Sequence, residues 1–448
     1  MPPRKHSIAF FLIVLFLCSW HLDAGTNDGT LSRAMATSAI VETGSSEFTE
    51  HNTLTGDKAV VDGRYYTDKA PLPSWVLVPI WALARALGAE ATTADGSSYA
   101  TLLRLGGFIW GVLPFTFIAL FLWRRSFELA QIAEHRALTV LVPMLGSFLF
   151  VYSGSLYNHL PAALFMLLAT TSIAKERYMS AGLFASAALL TDTASVVLIG
   201  VQGMQLLLSR PFTSSLRFAT ACLVGIIITL VNNTVITGSA FTFPSAMAAN
   251  YPHMTESLGF RGFSVDSLFG LTVSLYRGLF IYMPALVALI LVRPLKDARA
   301  WLTDPFLLPA VALILVYSMH STWWGGWTYG PRYITCSAVL LFAFLLEHLR
   351  PTRIAAAVVM ALGCIGLFLS LAAISTLGYS LPTGIMSPLS DLVLPAVLKG
   401  HWTSHQLPVW FGVSPAVSTS LFIFVLAAGL LLIHRIDRVP RHAPLPLP

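Results

Sequence analysis

The sequence predicts an all-α, polytopic membrane protein with about 12 transmembrane helices and a long first extracytoplasmic loop that carries interfacial helices. Three observations predict this fold class: an apolar composition, a series of helix-length apolar segments, and basic residues that recur in alternate loops. Of the 448 residues, 56% are hydrophobic and only 11% are charged. A soluble domain carries about 25% charged residues. The composition therefore excludes a soluble enzyme and a nucleic-acid-binding protein, and it indicates one transmembrane domain over 1–448.

The predicted spans are apolar runs of the length that crosses a bilayer, which is about 20 residues. They lie near 7–24, 102–123, 138–155, 159–174, 216–237, 275–292, 305–319, 333–349, 354–375 and 416–434. A further apolar stretch, 178–209, is interrupted at Thr191-Asp192-Thr193. This interruption predicts two shorter helices that form a hairpin.

The basic residues predict how the chain is oriented, because cytoplasmic loops of membrane proteins are enriched in lysine and arginine. Basic clusters recur at Arg4-Lys5, Arg124-Arg125, Lys175 to Arg177, Arg210 to Arg217, Arg293 to Arg299, Arg350 to Arg353 and Arg435 to Arg441. Both termini, including a tail at 435–448, are then cytoplasmic in the cell inner membrane. The long loops 25–101, 239–274, 320–332 and 376–415 are extracytoplasmic, and we expect the active site on that side.

The first long loop combines acidic, basic and aromatic residues close to a predicted membrane exit. Asp28 lies just after the first span, and 32–43 has the spacing of an interfacial helix. The charged and aromatic cluster that follows includes Tyr65, Tyr66, Asp68 and Lys69. A carboxylate at this depth can accept a proton from a hydroxyl, and a lysine there can hold a lipid phosphate. The alternative interpretation is a solvated loop with scattered charges.

A second candidate segment is 320–334, in which aromatic residues and glycines surround one arginine. Trp323, Trp324 and Trp327 fit an aromatic belt at the membrane boundary, and Trp323, Trp324 and Tyr333 are candidates for lining a substrate cavity. A belt does not explain the glycines beside Arg332, whose guanidinium suits phosphate geometry. We therefore favour a functional role for this segment. Arg277, at another loop–membrane boundary, either extends to the surface or makes a second phosphate contact.

Asn158 and His159 lie at the end of a predicted span, where they either contact a sugar or cap and solvate the helix end. Asp192 is an ionisable group at membrane depth, which marks it as a functional candidate. It is an ordinary helix cap if the hairpin turns at the outer face. The four cysteines lie in apolar runs without metal-ligand spacing, and nucleotide-binding motifs are absent from the sequence. We expect no metal and no cofactor.

These segments together resemble the GT-C superfamily of polytopic glycosyltransferases, especially the bacterial protein mannosyltransferase and lipid A aminoarabinose-transferase type. In that type, an acidic residue, an interfacial helix and a Tyr-x-x-Lys-x-Pro element follow the first span. The counterparts here are Asp28, with Arg33 five residues on, and Tyr66–Pro71. The segments 274–284 and 323–333 look like the Arg-Gly-Leu and Gly-Pro-Arg-Tyr elements of a bacterial branch of that superfamily.

The resemblance implies transfer of a sugar from a polyprenyl-phosphate-linked donor to an extracytoplasmic lipid, glycan or protein acceptor. It also implies that Asp28 is the general base and that Lys69 binds the carrier phosphate. Arg332 and Arg277 are the further phosphate-binding candidates, and a single displacement would invert the anomeric carbon. Two alternatives stay open: a multi-span transporter or lipid flippase, and a non-catalytic partner with the same fold.

Overall fold

The computed structural model describes residues 2–23, 25, 27–93, 99–129 and 135–437. The part of the predicted tail from 438 onward lies outside the described residues. The described chain is mostly helical and contains one two-stranded sheet, which confirms the predicted helical class.

The elements follow one another along the chain with few long interruptions. The first helices are α1 (Arg4–Ser19), α2 (Asp28–Thr43), α3 (Leu72–Ala86), α4 (Tyr99–Gly107), α5 (Leu113–Ser126), α6 (Arg136–Leu145), α7 (Phe148–Val151), α8 (His159–Ala174), α9 (Tyr178–Thr191) and α10 (Ser195–Ser209). The later helices are α11 (Phe212–Thr237), α12 (Pro252–Ser257), α13 (Val265–Thr272), α14 (Leu279–Tyr282), α15 (Ala298–Thr303), α16 (Leu307–Tyr317), α17 (Thr335–His348), α18 (Arg353–Ser375), α19 (Leu394–Leu398) and α20 (Pro415–Asp437). The strands are β1 (Ala59–Val61) and β2 (Arg64–Tyr66).

Within the described chain, four helical segments are long and apolar enough to cross a membrane. They are Tyr99–Ser126, which joins α4 to α5 through a π-helical turn, and α11, α18 and α20. The exposed side chains of these helices include Val235, Phe368 and Phe424, which are 76%, 60% and 72% accessible. Apolar side chains on an outer surface indicate contact with lipid. The chain is therefore a membrane protein, and the count of about 12 spans stays a prediction.

Two of the segments predicted as single spans are interrupted in the structure. The segment predicted at 275–292 consists of the short helix α14 and a 3-10 segment, Pro284–Leu291. Pro284 lacks a backbone donor, which interrupts the helical hydrogen bonding at this point. The segment predicted at 138–155 consists of the two helices α6 and α7. The break predicted within 178–209 is present, because α9 ends at Thr191 and α10 begins at Ser195.

The first long loop folds against the helices instead of lying on the surface. The residues from Gly29 to Ala39 of α2 are buried, so α2 is not an exposed interfacial helix as predicted. Small alanine side chains in this helix allow the close packing of neighbouring segments. Strands β1 and β2 form an antiparallel hairpin through Asp62 and Gly63, which both have positive φ. An Asp-Gly pair with this geometry forms the tight turns preferred in hairpins.

The loop packs on a small hydrophobic core that is separate from the larger core of the central helices. The larger core includes Phe115, Met144, Phe342 and many further side chains of the central helices. A smaller core joins Met35 and Trp81 of the first long loop to Trp110 of the α4–α5 segment. Packing α2 and α3 on this second core fixes the loop that carries Lys69 against the helical body.

Candidate active site

A polar cavity of about 560 Å³ lies where the first long loop meets the helices. Distant parts of the chain contribute its wall, including α2, the segment after β2, the start of α8, the α9–α10 connection and the 330–333 turn. Seven of the residues predicted from the sequence line it: Arg33, Asp68, Lys69, Asn158, His159, Arg332 and Tyr333. The predicted convergence of residues hundreds of positions apart is therefore present for these seven.

Lys69 lies between two carboxylates on one wall of the cavity. Its Nζ is 2.9 Å from Asp57 Oδ2 and 3.1 Å from Asp68 Oδ2. The segment is fixed by Thr67, whose hydroxyl is 2.8 Å from the Ser32 hydroxyl of α2 and accepts a hydrogen bond from the Lys69 backbone. Lys69 is thus held in place by its own backbone and by two charged partners.

The two carboxylates beside Lys69 have different electrostatic environments. Burial acts to raise the pKa of Asp57, but Lys69 and Arg332 outweigh it and hold that pKa below its usual range. Burial raises the pKa of Asp68, and the neighbouring Asp57 charge adds to the increase although Lys69 opposes it. Asp57 is therefore the carboxylate that stays ionised most readily.

Arg33 extends from α2 into the same cavity. Its side chain is 3% exposed, and it donates hydrogen bonds to the Gly29 carbonyl and, at 2.6 Å, to Asn158 Oδ1. The Arg33 Nε has no hydrogen-bond partner among the described residues. Asn158 precedes α8, so this bond ties the first long loop to that helix.

Arg332 has no anionic partner within the described chain. Its guanidinium lies 5.0 Å from the ring centre of Tyr157 and 5.4 Å from that of Tyr333, and its buried Nε makes no hydrogen bond. Gly325 adopts a φ of +78°, and a Cβ there would approach Arg332 Nε to 3.2 Å. Glycine therefore satisfies both the backbone conformation and the space that Arg332 needs.

His159 and Asp192 form a hydrogen-bonded pair on another part of the wall. His159 Nδ1 lies 2.8 Å from Asp192 Oδ2, and both residues are 9% exposed. The other oxygen of Asp192 accepts a hydrogen bond from the Ala194 backbone at 3.2 Å. Asp192 thus stabilises the turn that precedes α10, although it is not the N-cap of that helix, and it also contacts the histidine.

Asp28, the base predicted from the sequence, lies beside the cavity but does not line it. It is exposed at the first turn of α2, and its Oδ1 accepts a hydrogen bond from the Gly56 backbone at 3.0 Å. The Asp28 carbonyl also accepts a hydrogen bond from the Thr55 hydroxyl. Both contacts hold the 55–57 turn, which presents Asp57 to the cavity.

Arg277 does not line the cavity, which differs from its predicted role in phosphate binding. It is fully buried and donates to the carbonyls of Tyr276, Leu381 and Pro382. These bonds engage its two terminal nitrogens and attach the 376–388 segment to the start of α14, while its buried Nε has no partner within the described chain. The predicted alternative, extension to the surface, is not observed either.

Four predicted cavity residues lie elsewhere. Tyr65 and Tyr66 belong to β2, and Tyr65 packs on the smaller core. Trp323 contacts Tyr276 and Trp324, with ring centres 5.9 and 5.8 Å apart. These aromatic side chains stabilise the loops around the cavity and do not contribute to its wall.

The wall contains further titratable side chains, among them Asp57 and Tyr157, which were not chosen as site residues, and Asp192, which the sequence marked as a functional candidate with a helix cap as the alternative. Asp57 stands 12 positions before Lys69 in a cluster of similar charges, so spacing alone does not distinguish it. Asp192 carries a signal that sequence reasoning can use, because an acid at membrane depth is costly without a role. Tyr157 carries no such signal, since tyrosine is common at helix ends.

These observations define a helical membrane protein with a cation-lined polar cavity beside its first long loop. No family model matches the chain, and no curated protein matches it. The chain is similar to the crystal structure of ArnT from Cupriavidus metallidurans in the apo state, with 16% identity and a TM-score of 0.48. That match covers 96% of this chain and 76% of the other. The same protein bound to undecaprenyl phosphate matches with 14% identity and a TM-score of 0.43, over 97% and 78% of the two chains.

Proposed function

We propose that this protein is a membrane glycosyltransferase, which transfers a sugar from a polyprenyl-phosphate-linked donor to an extracytoplasmic lipid, glycan or protein acceptor. The observation that carries the proposal is the state of Arg332, a cation in a polar cavity without an anionic partner in the described chain. Lys69 lines the same cavity. A phosphate group supplies the anion that both side chains fit.

In the proposed reaction, an acceptor hydroxyl attacks the anomeric carbon while the bond from that carbon to the carrier phosphate breaks. Lys69 and Arg332 neutralise the negative charge that develops on the departing phosphate. Preorganised charges of this kind contribute several kcal/mol to the stability of a transition state. A single displacement leaves the product with inverted configuration at the anomeric carbon.

The base that accepts the hydroxyl proton has to reach the reacting atoms, to within about 3 Å. Asp28 is the base that the family resemblance implies, but Asp57 and Asp68 are the carboxylates that line the cavity beside Lys69, and of these two Asp57 is the one whose pKa is held below its usual range. We therefore assign the proton to Asp57 and assign to Asp28 the support of the Gly56–Asp57 turn. Variants of the two acids distinguish the assignments.

The proposal is tested by deleting the gene in cells that produce the protein and analysing envelope lipids and glycans by mass spectrometry. We expect one sugar modification to disappear and to return with the wild-type chain. Lys69→Ala and Arg332→Ala should not restore it. Lys58→Ala is the matched control, because Lys58 belongs to the same loop but bonds to Asn52 outside the cavity.

Restoration by Lys69→Ala and Arg332→Ala at normal protein levels would contradict the proposal. Loss of substrate movement without any covalent change would favour the transporter or flippase. A requirement for the protein without turnover of the carrier would favour the non-catalytic partner.

A further inference from the structure

The His159–Asp192 pair has a geometry that is more specific than the turn between α9 and α10 requires. The turn uses one side-chain oxygen of Asp192, because Oδ1 accepts the Ala194 backbone N–H. The second oxygen, Oδ2, is bonded to His159 Nδ1 at 2.8 Å. Both carboxylate oxygens are therefore engaged, and together they fix the orientation of the imidazole ring.

The carboxylate determines which ring nitrogen carries the proton. A hydrogen bond from Nδ1–H to the carboxylate of Asp192 requires the proton on Nδ1 in the neutral ring. The other nitrogen, Nε2, then offers a lone pair. Within the described chain, Nε2 has no hydrogen-bond partner. A polar atom of a largely buried residue on a cavity wall can take its partner from a bound ligand.

Uncharged polar side chains line the same cavity as His159. Thr193, Thr229, Asn232 and Ser245 offer hydroxyl and amide groups, and apolar side chains lie among them. Lys69 and Arg332 carry the positive charges of the cavity. An apolar lining with a few neutral donors and acceptors and an oriented imidazole fits a sugar ring and its hydroxyl groups.

We propose that His159, oriented by Asp192, accepts a hydrogen bond from a hydroxyl group of the transferred sugar and forms a sugar-binding subsite next to the phosphate-binding residues, with Tyr157 and Tyr333 between His159 and Arg332. This inference rests on the proposed function. It assigns a specificity-determining role to His159 and a positioning role to Asp192. The ligand class is a neutral, polyhydroxylated ring attached to the carrier phosphate.

The test compares the binding of sugar-free and sugar-bearing carriers to the full chain in lipid nanodiscs. The probes are polyprenyl phosphate and polyprenyl phosphate linked to glucose, mannose, galactose or xylose. For the wild-type chain we expect at least one sugar-bearing probe to bind about 10-fold more tightly than the bare carrier, because a site built for a hydroxyl discriminates against its absence.

Two variants address the subsite directly. His159→Phe removes the acceptor, so the preference for the sugar-bearing probe should fall to about twofold or less while the affinity for polyprenyl phosphate is kept. Asp192→Asn keeps the histidine and changes only which of its ring nitrogens carries the proton. Its oxygen stays on the Ala194 N–H, so its amide donates to Nδ1 and shifts the ring proton to Nε2, which changes an acceptor into a donor.

The control is His51→Gln, since His51 bonds to Tyr99 outside the cavity. It should bind every probe as the wild type does. Equal affinity of the wild type for bare and sugar-bearing carriers would overturn the subsite, as would an equal loss of both in the His159 and Asp192 variants. If the wild type does not bind polyprenyl phosphate at all, the proposed function fails first and the subsite with it.

Discussion

Replacing Arg332 by methionine should weaken phosphate binding without lowering the stability of the protein. The guanidinium packs between Tyr157 and Tyr333, and its Nε is buried without a hydrogen bond. Each cation–π contact contributes about 0.5–2 kcal/mol. An unpaired cation loses several kcal/mol on dehydration. These terms offset each other, so we expect the melting temperature of Arg332→Met to equal or exceed that of the wild type.

The effect on binding should be large because the cation is placed to pair with a phosphate. Truncating one partner of a buried charge pair costs about 2–5 kcal/mol. That range corresponds to a rise in Kd of roughly 30-fold or more. The assay is titration of purified protein in nanodiscs with polyprenyl phosphate, paired with a thermal unfolding curve for each variant.

Arg277→Met is the matched control, since Arg277 is also buried but donates to three backbone carbonyls. Losing these bonds leaves buried acceptors unpaired, at about 1–3 kcal/mol per group. We expect this variant to unfold at a lower temperature and to keep the wild-type Kd. If Arg332→Met instead lowers the melting temperature and leaves the Kd unchanged, the cation is structural and the reasoning is refuted.

Three further predictions concern the base, the pH dependence and the packing. Asp57→Asn should lower transfer about 100-fold or more, as expected for loss of a base, while Asp28→Asn keeps most of it; a sugar-transfer assay measures both. The hydrogen bond to Asp23 raises the pKa of His405 above its usual value. That contact therefore stabilises the protein fully below about pH 6.5 and is lost as pH rises through the raised pKa, which melting curves at several pH values should show. Gly154→Ala should lower the melting temperature, because its methyl group would lie 1.9 Å from a backbone carbonyl oxygen.

Each of these predictions has a result that contradicts it. Reversed effects of the two aspartate variants would identify Asp28 as the base. A His405→Gln variant that keeps the same pH dependence would exclude the Asp23 contact as its cause. Gly200→Ala is the control for packing, since a Cβ there meets nothing within 4 Å and alanine favours the helix. Equal melting temperatures for the two glycine variants would show that the close approach at Gly154 is relieved without cost.

The helical class could be predicted from composition, because every helix that spans a bilayer must be an apolar segment of sufficient length. Lys69 and Arg332 could be selected because their neighbouring sequence is unusual for a loop or an aromatic belt. The division of α14 from the following 3-10 segment is encoded locally at Pro284, but an apolar count over 275–292 does not detect it.

The choice between carboxylates depends on tertiary structure and could not be predicted. Asp28 is exposed and Asp57 faces the cavity because the 55–57 turn folds over the start of α2, and no spacing rule predicts that fold. Arg277 illustrates the same limit. A buried arginine that serves backbone carbonyls and one that faces a cavity have similar local sequences, and only their partners differ.

In the proposed reaction, the double engagement of Lys69 would link binding of the donor to activation of the acid beside it. In this structure its ammonium group is shared by Asp57 and Asp68, so an arriving phosphate competes with both carboxylates for one cation. If Lys69 moves to pair with the donor phosphate, Asp57 loses its strongest neutralising partner, and its affinity for a proton rises. Asp57 would then become an effective proton acceptor only after a donor is bound. This order, donor before acceptor, would protect the carrier-linked sugar from unproductive attack.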